Sequence, residues 1–399
     1  MRSSECDFEE AKRIGSRYRT PESVVFIVNT DQHFLSHRAT WGLALQAGGA
    51  NVAVIAEDTG SSAAIRSLGF TFIRAGIGRE SGTSLKATAN AASIILASLL
   101  RIRPQVVFLV HQAAYTVGWP AALLLRDTSF IRVAGGVGRA LDTRSNRTWA
   151  SQVVRASGRA ADRLSNVFTL FQTEHDRQIF IGLRLLKDVG RSLVIPGTGI
   201  GMERWYREHD RDYSKPIILF ASRLFREKGI YEFVEAARQL RGMNWRFQVA
   251  GRPDTGVDSA VSEEELSSWR REGAVEILGH RTDMDFVLGR ATLFVLPTRH
   301  PEGTPKVLIE AGAAGLPAIV SAHPGCMAVV EAGVTGIVLS SEPLADELAS
   351  AIEALASDPG KARSLGSAAS ERVLTLFSLE AVLTQLLEWN SICAVRRSA

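Results

Sequence analysis

The sequence predicts an α/β protein made of two doubly wound parallel-sheet domains. Three observations predict it. Short apolar, β-branched runs alternate with helix-forming stretches along most of the chain, the pattern of strand–helix–strand crossovers. The alternation breaks at Pro196-Gly197-Thr198-Gly199-Ile200-Gly201 and then restarts. A chain of 399 residues is also long enough to divide into two domains with separate cores. The expected divisions are residues 1–198, residues 199–378 and a closing helix at 379–399.

Each element follows from local pattern. Residues 24–29 form an apolar, β-branched run and read as a buried strand. A helix from 40 to 47 stops at Gly48-Gly49; 52–56 is the next strand, 63–68 a short helix and 71–74 a further strand. Residues 85–101 make a long helix, and Pro104 precedes the strand 105–110. Strand 130–133 runs into Gly135-Gly136-Val137-Gly138, followed by an arginine-bearing helix and the strands 166–170 and 193–195. The second half repeats the alternation, with strands at 217–221, 246–250, 275–278, 293–296 and 318–321. Helices at 229–240, 262–271, 284–289 and 305–314 lie between them, and the last helix covers about 379–393.

Composition excludes several classes. The three cysteines, Cys6, Cys326 and Cys393, are odd in number and widely spaced, so a disulfide framework is not expected and a reducing cytoplasm is. Cys326, in a Pro-Gly turn, reads as structural. The charged opening, with Glu5, Asp7, Glu9, Glu10, Lys12 and Arg13, is no secretory signal. The apolar runs 89–100 and 113–125 are too short to span a bilayer. Residues 1–200 hold 24 Lys+Arg against 15 Asp+Glu, and residues 201–399 hold 22 against 27. A basic first half points to an anionic partner. Arg147, Arg155, Arg159 and Arg163 recur at multiples of four, which puts them on one helical face. That stripe reads either as an anionic-membrane contact or as a solvated face. No aromatic-plus-basic motif accompanies it, so nucleic acid is not an expected partner.

The most informative segment is Glu302-Gly303-Thr304-Pro305-Lys306-Val307-Leu308-Ile309-Glu310. Thr304 is a good N-cap, Pro305 suits the first helical position, and Gly315 with Pro317 ends the helix. The amides of Lys306 and Val307 then lie at a positive dipole end that suits a phosphate. The two flanking carboxylates could grip sugar or ribose hydroxyls; an ordinary capped helix with two exposed glutamates has the same spacing.

The neighbouring residues narrow this. Glu302 and Glu310, continuing as Ala311-Gly312-Ala313-Ala314-Gly315-Leu316-Pro317, resemble the signature of family 4 retaining glycosyltransferases of the GT-B fold. Ser222-Arg223-Leu224-Phe225-Arg226-Glu227-Lys228-Gly229 resembles that family's basic segment, and Ala250-Gly251-Arg252-Pro253 its glycine loop. Ile277-Leu278-Gly279-His280 and Phe294-Val295-Leu296-Pro297-Thr298 match the stretch before the paired glutamates. Together the matches cover about 180 residues. The first half matches more loosely. There Val28-Asn29-Thr30-Asp31-Gln32-His33-Phe34-Leu35-Ser36-His37-Arg38 is similar to the opening of a subgroup acting on polyprenyl-diphosphate-linked sugars, as is Pro324-Gly325-Cys326.

The resemblance implies two Rossmann-like domains facing across a cleft, the first binding acceptor, the second the nucleotide-sugar donor, with the last helix crossing back to the first. It implies that Arg223 and Lys228 hold the donor diphosphate, that Glu310 holds the ribose, and that Glu302 contacts the donor sugar. His111, closing a strand, resembles the histidine near the transferred sugar. Gly303, Thr304, Lys306, Val307, Gly251, Arg252 and His280 fall on the donor side. His33, His37 and Gly136 fall on the acceptor side; His33 and His37 share i,i+4 spacing but lack the glutamate of a zinc helix. Asp283-Met284-Asp285 imitates a metal-binding Asp-x-Asp but reads better as helix capping. Gly197-Thr198-Gly199 resembles an interdomain segment that usually continues to an Asp; Gly201 stands there instead.

The expected function is therefore metal-independent, retaining transfer of a sugar from a UDP- or GDP-linked donor to a glycan or polyprenyl-diphosphate-sugar acceptor. The setting would be surface polysaccharide or glycan synthesis at the inner membrane face. No cofactor is expected. A sugar-nucleotide epimerase of the same architecture and a non-catalytic sugar-nucleotide-binding subunit are the alternatives.

Overall fold

The computed structural model describes residues 2–77, 85–136, 149–203, 205, 211–254, 257–300 and 303–395. The chain divides into two units, one formed by 1–199 with 379–399 and the other by 200–378.

The first unit holds a seven-stranded sheet: β1 (Ser23–Thr30), β2 (Asn51–Glu57), β3 (Thr71–Arg74), β4 (Val106–Val110), β5 (Ser129–Ala134), β6 (Val167–Phe171) and β7 (Ser192–Val194). Their order is β3-β2-β1-β4-β5-β6-β7, every pair parallel. Strands covered on both faces need apolar side chains at every position. β4, Val-Val-Phe-Leu-Val, is accordingly buried throughout. Alternate residues serve opposite cores. Val24, Phe26 and Val28 join Phe34, Trp41 and Phe108, while Val25 and Ile27 join Leu109 and Phe130. The helix Leu379–Val395 adds Leu379, Val382, Leu383, Leu386 and Leu387 to the first of these cores. Each such side chain contributes roughly 1.5–3 kcal/mol by leaving water. Helices Arg2–Gly15, Asp31–His37, His111–Gly118, Ala121–Leu124 and Glu174–Gly182 complete the unit, and the sequence pattern did not mark them.

The second unit holds β8 (Ile217–Ala221), β9 (Arg246–Ala250), β10 (Glu276–Gly279), β11 (Leu293–Leu296), β12 (Ala318–Ser321) and β13 (Gly336–Leu339). Their order is β10-β9-β8-β11-β12-β13, again parallel. In both sheets the first strand in the chain sits between its two later neighbours, so the winding reverses there. Ligands of such sheets bind outside the carboxyl ends of the strands at that reversal.

Three expectations change. Thr304 is not the N-cap: Pro305 takes that place with an extended ψ of 118, and the helix is Lys306–Ala313. The Pro305 carbonyl accepts from Leu308 and Ile309, as an N-cap carbonyl does, and no side chain caps the helix. Cys326 lies buried in the short helix Pro324–Val329 and not in a turn. Asp283 sits at the N-cap position of Met284–Arg290, but its carboxylate is taken by Arg281 (Nε–Oδ1 2.9 Å). Among the stripe arginines, Arg159 and Arg163 are exposed, with Arg159 donating to the Leu183 carbonyl (3.3 Å), and the Arg155 Nε is buried without a partner. Arg147, Val137, Gly138 and Glu302 lie outside the described residues. No helix among the described residues is long and apolar enough to cross a membrane.

Candidate functional site

In the second unit, four loops meet the reversal edge. The loop after β8 carries Arg223 and leads into a single 3-10 turn, Arg226–Lys228. Lys228 is 5% exposed, whereas the Arg223 side chain is 56% exposed and pairs with Asp254 (2.5 Å). Both cations lean on one buried ring. The Arg223 Cζ lies 5.4 Å and the Lys228 Nζ 5.7 Å from the centre of Phe225. A ring face favours cations, so Phe225 fixes the two charges in one place before any ligand arrives. The edge of this ring also meets His300, at 5.1 Å.

Backbone contacts lock this loop to the one after β11. The Glu227 carbonyl accepts from the amides of Arg299 (2.8 Å) and His300 (3.1 Å). Gly229 has φ 80, and a Cβ there would stand 2.4 Å from the Pro297 carbonyl oxygen, so no other residue fits. Gly251, after β9, is tighter still: φ is 147, and a Cβ would meet the Ser222 oxygen at 1.9 Å. Its amide donates to Gly279 at the end of β10 (2.8 Å). Arg252 and His280 follow on this rim with exposed side chains, and the Arg252 carbonyl accepts from Leu224 (2.9 Å).

The loop after β11 passes through buried Gly303 and half-buried Thr304 to the helix Lys306–Ala313. The helix itself offers no acceptor for the amides of Lys306 and Val307. Glu310 is one turn in, its side chain 14% exposed and its Oε1 3.9 Å from the Lys306 Nζ. Two cations, a helix N-terminus and a half-buried carboxylate thus share one sheet edge. This edge can neutralise a diphosphate and accept hydroxyl hydrogens.

The first unit's reversal edge has another chemistry. β1 and β4 are neighbours, which brings His33 and His37, on the helix Asp31–His37, beside His111 at the end of β4. The Nε2 atoms of His33 and His111 are 2.7 Å apart, and the His33 and His37 rings are 4.6 Å apart. His111 has φ 72, a left-handed conformation costly for a residue with a side chain and common where a site holds a group in place. Burial, then the nearby Arg38, holds His111 down at about 4; burial, His111, His37 and Arg38 push His33 lower still. Gly136 (φ 110) follows β5, the next strand. Among the described residues no group of three His, Cys, Asp or Glu side chains is set to hold a metal ion.

Sequence reasoning missed Phe225, Asp254 and Arg38. Phe225 lies inside the recognised basic segment, and its place between two cations was the available signal. Asp254 carries no local signal, since it reaches Arg223 only through the β8–β9 pairing. Arg38 was read only as part of a motif.

Comparison with known proteins follows this division. Residues 202–372 match the family model described as "Glycosyl transferases group 1". The chain is 32% identical over 180 residues to the N,N'-diacetylbacillosaminyl-diphospho-undecaprenol alpha-1,3-N-acetylgalactosaminyltransferase of Campylobacter jejuni, covering 42% of this chain and 46% of that one. It is 31% identical over 191 residues to the alpha-maltose-1-phosphate synthase of Mycolicibacterium smegmatis, covering 44% and 48%. The matched stretch thus spans about half the length of these curated relatives. Over 94% of the chain the structure resembles the sucrose-phosphate synthase of Thermosynechococcus elongatus (TM-score 0.76, 20% identity, all of that chain). Over 93% it resembles the Anabaena protein HepE in complex with UDP (TM-score 0.72, 16% identity, all of that chain). The fold is that of the GT-B glycosyltransferases.

Proposed function

We propose that the protein is a retaining glycosyltransferase that moves a sugar from a nucleoside-diphosphate donor to an acceptor. The observation that carries this is the edge of the second unit, where Arg223 and Lys228 flank Phe225 beside the N-terminus of the helix Lys306–Ala313. The family match of residues 202–372, which hold this whole edge, and the UDP complex of a protein of the same fold support the donor class.

The mechanism needs the sugar–phosphate bond to break with its electrons leaving on phosphate. Fixed cations and helix amides lower that charge's energy without reorganising. Lys228 supplies a buried point charge, and Arg223 exchanges Asp254 for phosphate oxygens. The exposed pair it gives up is worth little, about 0–1 kcal/mol. Glu310 accepts from the ribose hydroxyls. We assign to Glu302, on the family resemblance alone, the contact with the donor sugar that steadies positive charge at the anomeric carbon. The acceptor oxygen attacks from the leaving group's face, and the departing phosphate takes its proton, so configuration is retained. Fixed cations do the work a metal would otherwise do, so transfer proceeds without one.

For the acceptor we favour a polyprenyl-diphosphate-linked sugar. The Campylobacter relative is named for such an acceptor, and residues 1–200 carry the positive balance. Work at the inner face of a membrane follows from that acceptor.

Calorimetric titration with UDP, GDP and ADP, with and without EDTA, tests the donor edge. Tight, EDTA-insensitive binding of one diphosphate is expected; failure of all three would sink the reading. Release of free nucleoside diphosphate only on adding acceptor separates transfer from epimerisation and from binding alone.

A further inference from the structure

The loop after β11 places two nitrogen-bearing side chains, Arg299 and His300, next to the turn that holds Lys228. Their backbones are fixed alike. Both amides donate to the Glu227 carbonyl, at 2.8 and 3.1 Å, and the Thr298 hydroxyl donates to the same oxygen (3.3 Å) while accepting from the His300 amide (3.1 Å). Their side chains diverge. Arg299 turns to the helix Ile230–Gln239, where its NH2 meets Glu232 at 2.9 Å, so its charge is answered within the protein. The His300 ring meets Phe225 instead, 5.1 Å centre to centre with the planes at 84°. Phe225 is the ring that carries the Arg223 Cζ at 5.4 Å and the Lys228 Nζ at 5.7 Å. Three nitrogen-bearing groups therefore surround one buried ring, two of them permanently charged and one able to change near neutral pH. His300 is half-buried, which leaves it within reach of a ligand.

The charges around His300 decide when it changes. The loop after β8 brings Arg223, Lys228 and Glu227; the loop after β9 brings Asp254; the helix Ile230–Gln239 brings Glu232; its own loop brings Arg299. Each of these carboxylates is engaged: Asp254 by Arg223 (2.5 Å), Glu227 by the Ser259 hydroxyl (2.5 Å) and Glu232 by Arg299. Glu302, two positions on, lies outside the described residues. The described groups thus supply no surplus of negative charge for an imidazolium. A nucleoside diphosphate changes that balance, because its phosphates bring negative charge to the Arg223 and Lys228 side of the ring. A nearby anion favours the protonated imidazole, and an imidazolium N–H makes a charge-assisted bond to phosphate.

We propose that His300 is a third group on the donor diphosphate, one that takes up a proton as the nucleotide binds and returns it to water on release. The inference deepens the donor-edge reading and rests on it for the diphosphate.

The test is calorimetric titration of the whole protein with UDP, GDP and ADP in two buffers of unlike ionisation enthalpy, which counts protons taken up on binding. The diphosphate that binds should bring net proton uptake near neutral pH, and His300→Gln should remove that uptake. Relative to this variant, the parent's affinity should fall about tenfold between roughly pH 6 and pH 8, because the variant has no imidazole to lose its proton. The nucleotide's own ionisation is common to both chains and cancels in the comparison. His300→Lys keeps a fixed charge, and should bind more tightly than His300→Gln at the upper end of that range without the proton uptake. Binding of none of the three diphosphates would fell the donor reading and this one together. Equal proton uptake in the parent and in His300→Gln would fell this one alone, and His300→Lys binding no more tightly than His300→Gln would reduce His300 to a structural residue.

Discussion

The two sheets wind in the same order yet end in opposite chemistry. At the reversal of the second unit, charge is collected: Arg223 and Lys228 on one ring, with a helix N-terminus beside them. At the reversal of the first unit, charge is suppressed: burial pushes the His33 and His111 imidazoles toward their neutral forms, and Arg38 beside them is sunk out of water. A doubly wound sheet supplies only a place. What the place binds is decided by a few side chains on the loops after the first and fourth strands.

Four substitutions or conditions would break or sharpen this contrast. Gly251→Ala should have the largest effect, because its Cβ would collide with the Ser222 carbonyl and its φ of 147 suits only glycine. We expect a loss of about 3 kcal/mol or more, read by urea unfolding of the second unit. Lys228→Met keeps volume but removes the buried charge. It should weaken nucleoside-diphosphate binding on the order of 100-fold, while His111→Gln leaves that affinity unchanged. Equal losses would end the division into a charged and an uncharged edge. Glu310→Ala should weaken the same binding by roughly tenfold, as one charge-assisted contact is lost; an unchanged affinity would take the ribose from it.

The last expected effect is one of pH. His111 sits at about 4 in the folded chain against an ordinary 6.5, so between those values the unfolded chain binds more protons. Its contribution to stability is complete above about 6.5 and is lost as pH falls toward 4. Melting temperatures across that window should therefore drop with acid, and His111→Gln should flatten the slope.

Much of the fold was legible, and the reason is local. β3, β8, β9, β11 and β12 match their expected limits because each is a short apolar run with a turn former or a change of polarity at its ends. The helices Asp31–His37 and His111–Gly118 were not, because each begins at the residue after its strand with no glycine or proline between. In the second case the chain turns through His111 itself, in a conformation that sequence assigns to glycine. The cap of Lys306–Ala313 was misplaced by one residue because an extended Pro305 can close the first turn with its own carbonyl. The residue types of both edges were readable. Their meetings were not: His33 reaches His111, and Arg223 reaches Asp254, only through strand pairings.

The helix Leu379–Val395 gives the first unit a debt in time. Part of that unit's core is Leu379, Val382, Leu383, Leu386 and Leu387, and residues 200–378 intervene between them and the rest. At about 5–20 residues per second, a ribosome makes that intervening stretch in roughly 10–40 s. Throughout that interval the apolar surface that includes Phe168, against whose ring Trp389 packs at 6.1 Å, waits without its cover. The second unit, continuous in sequence, can finish first. A nascent chain stalled within residues 200–378 would therefore carry an apolar face that chaperones recognise, and emergence of the final helix is the event that hides it.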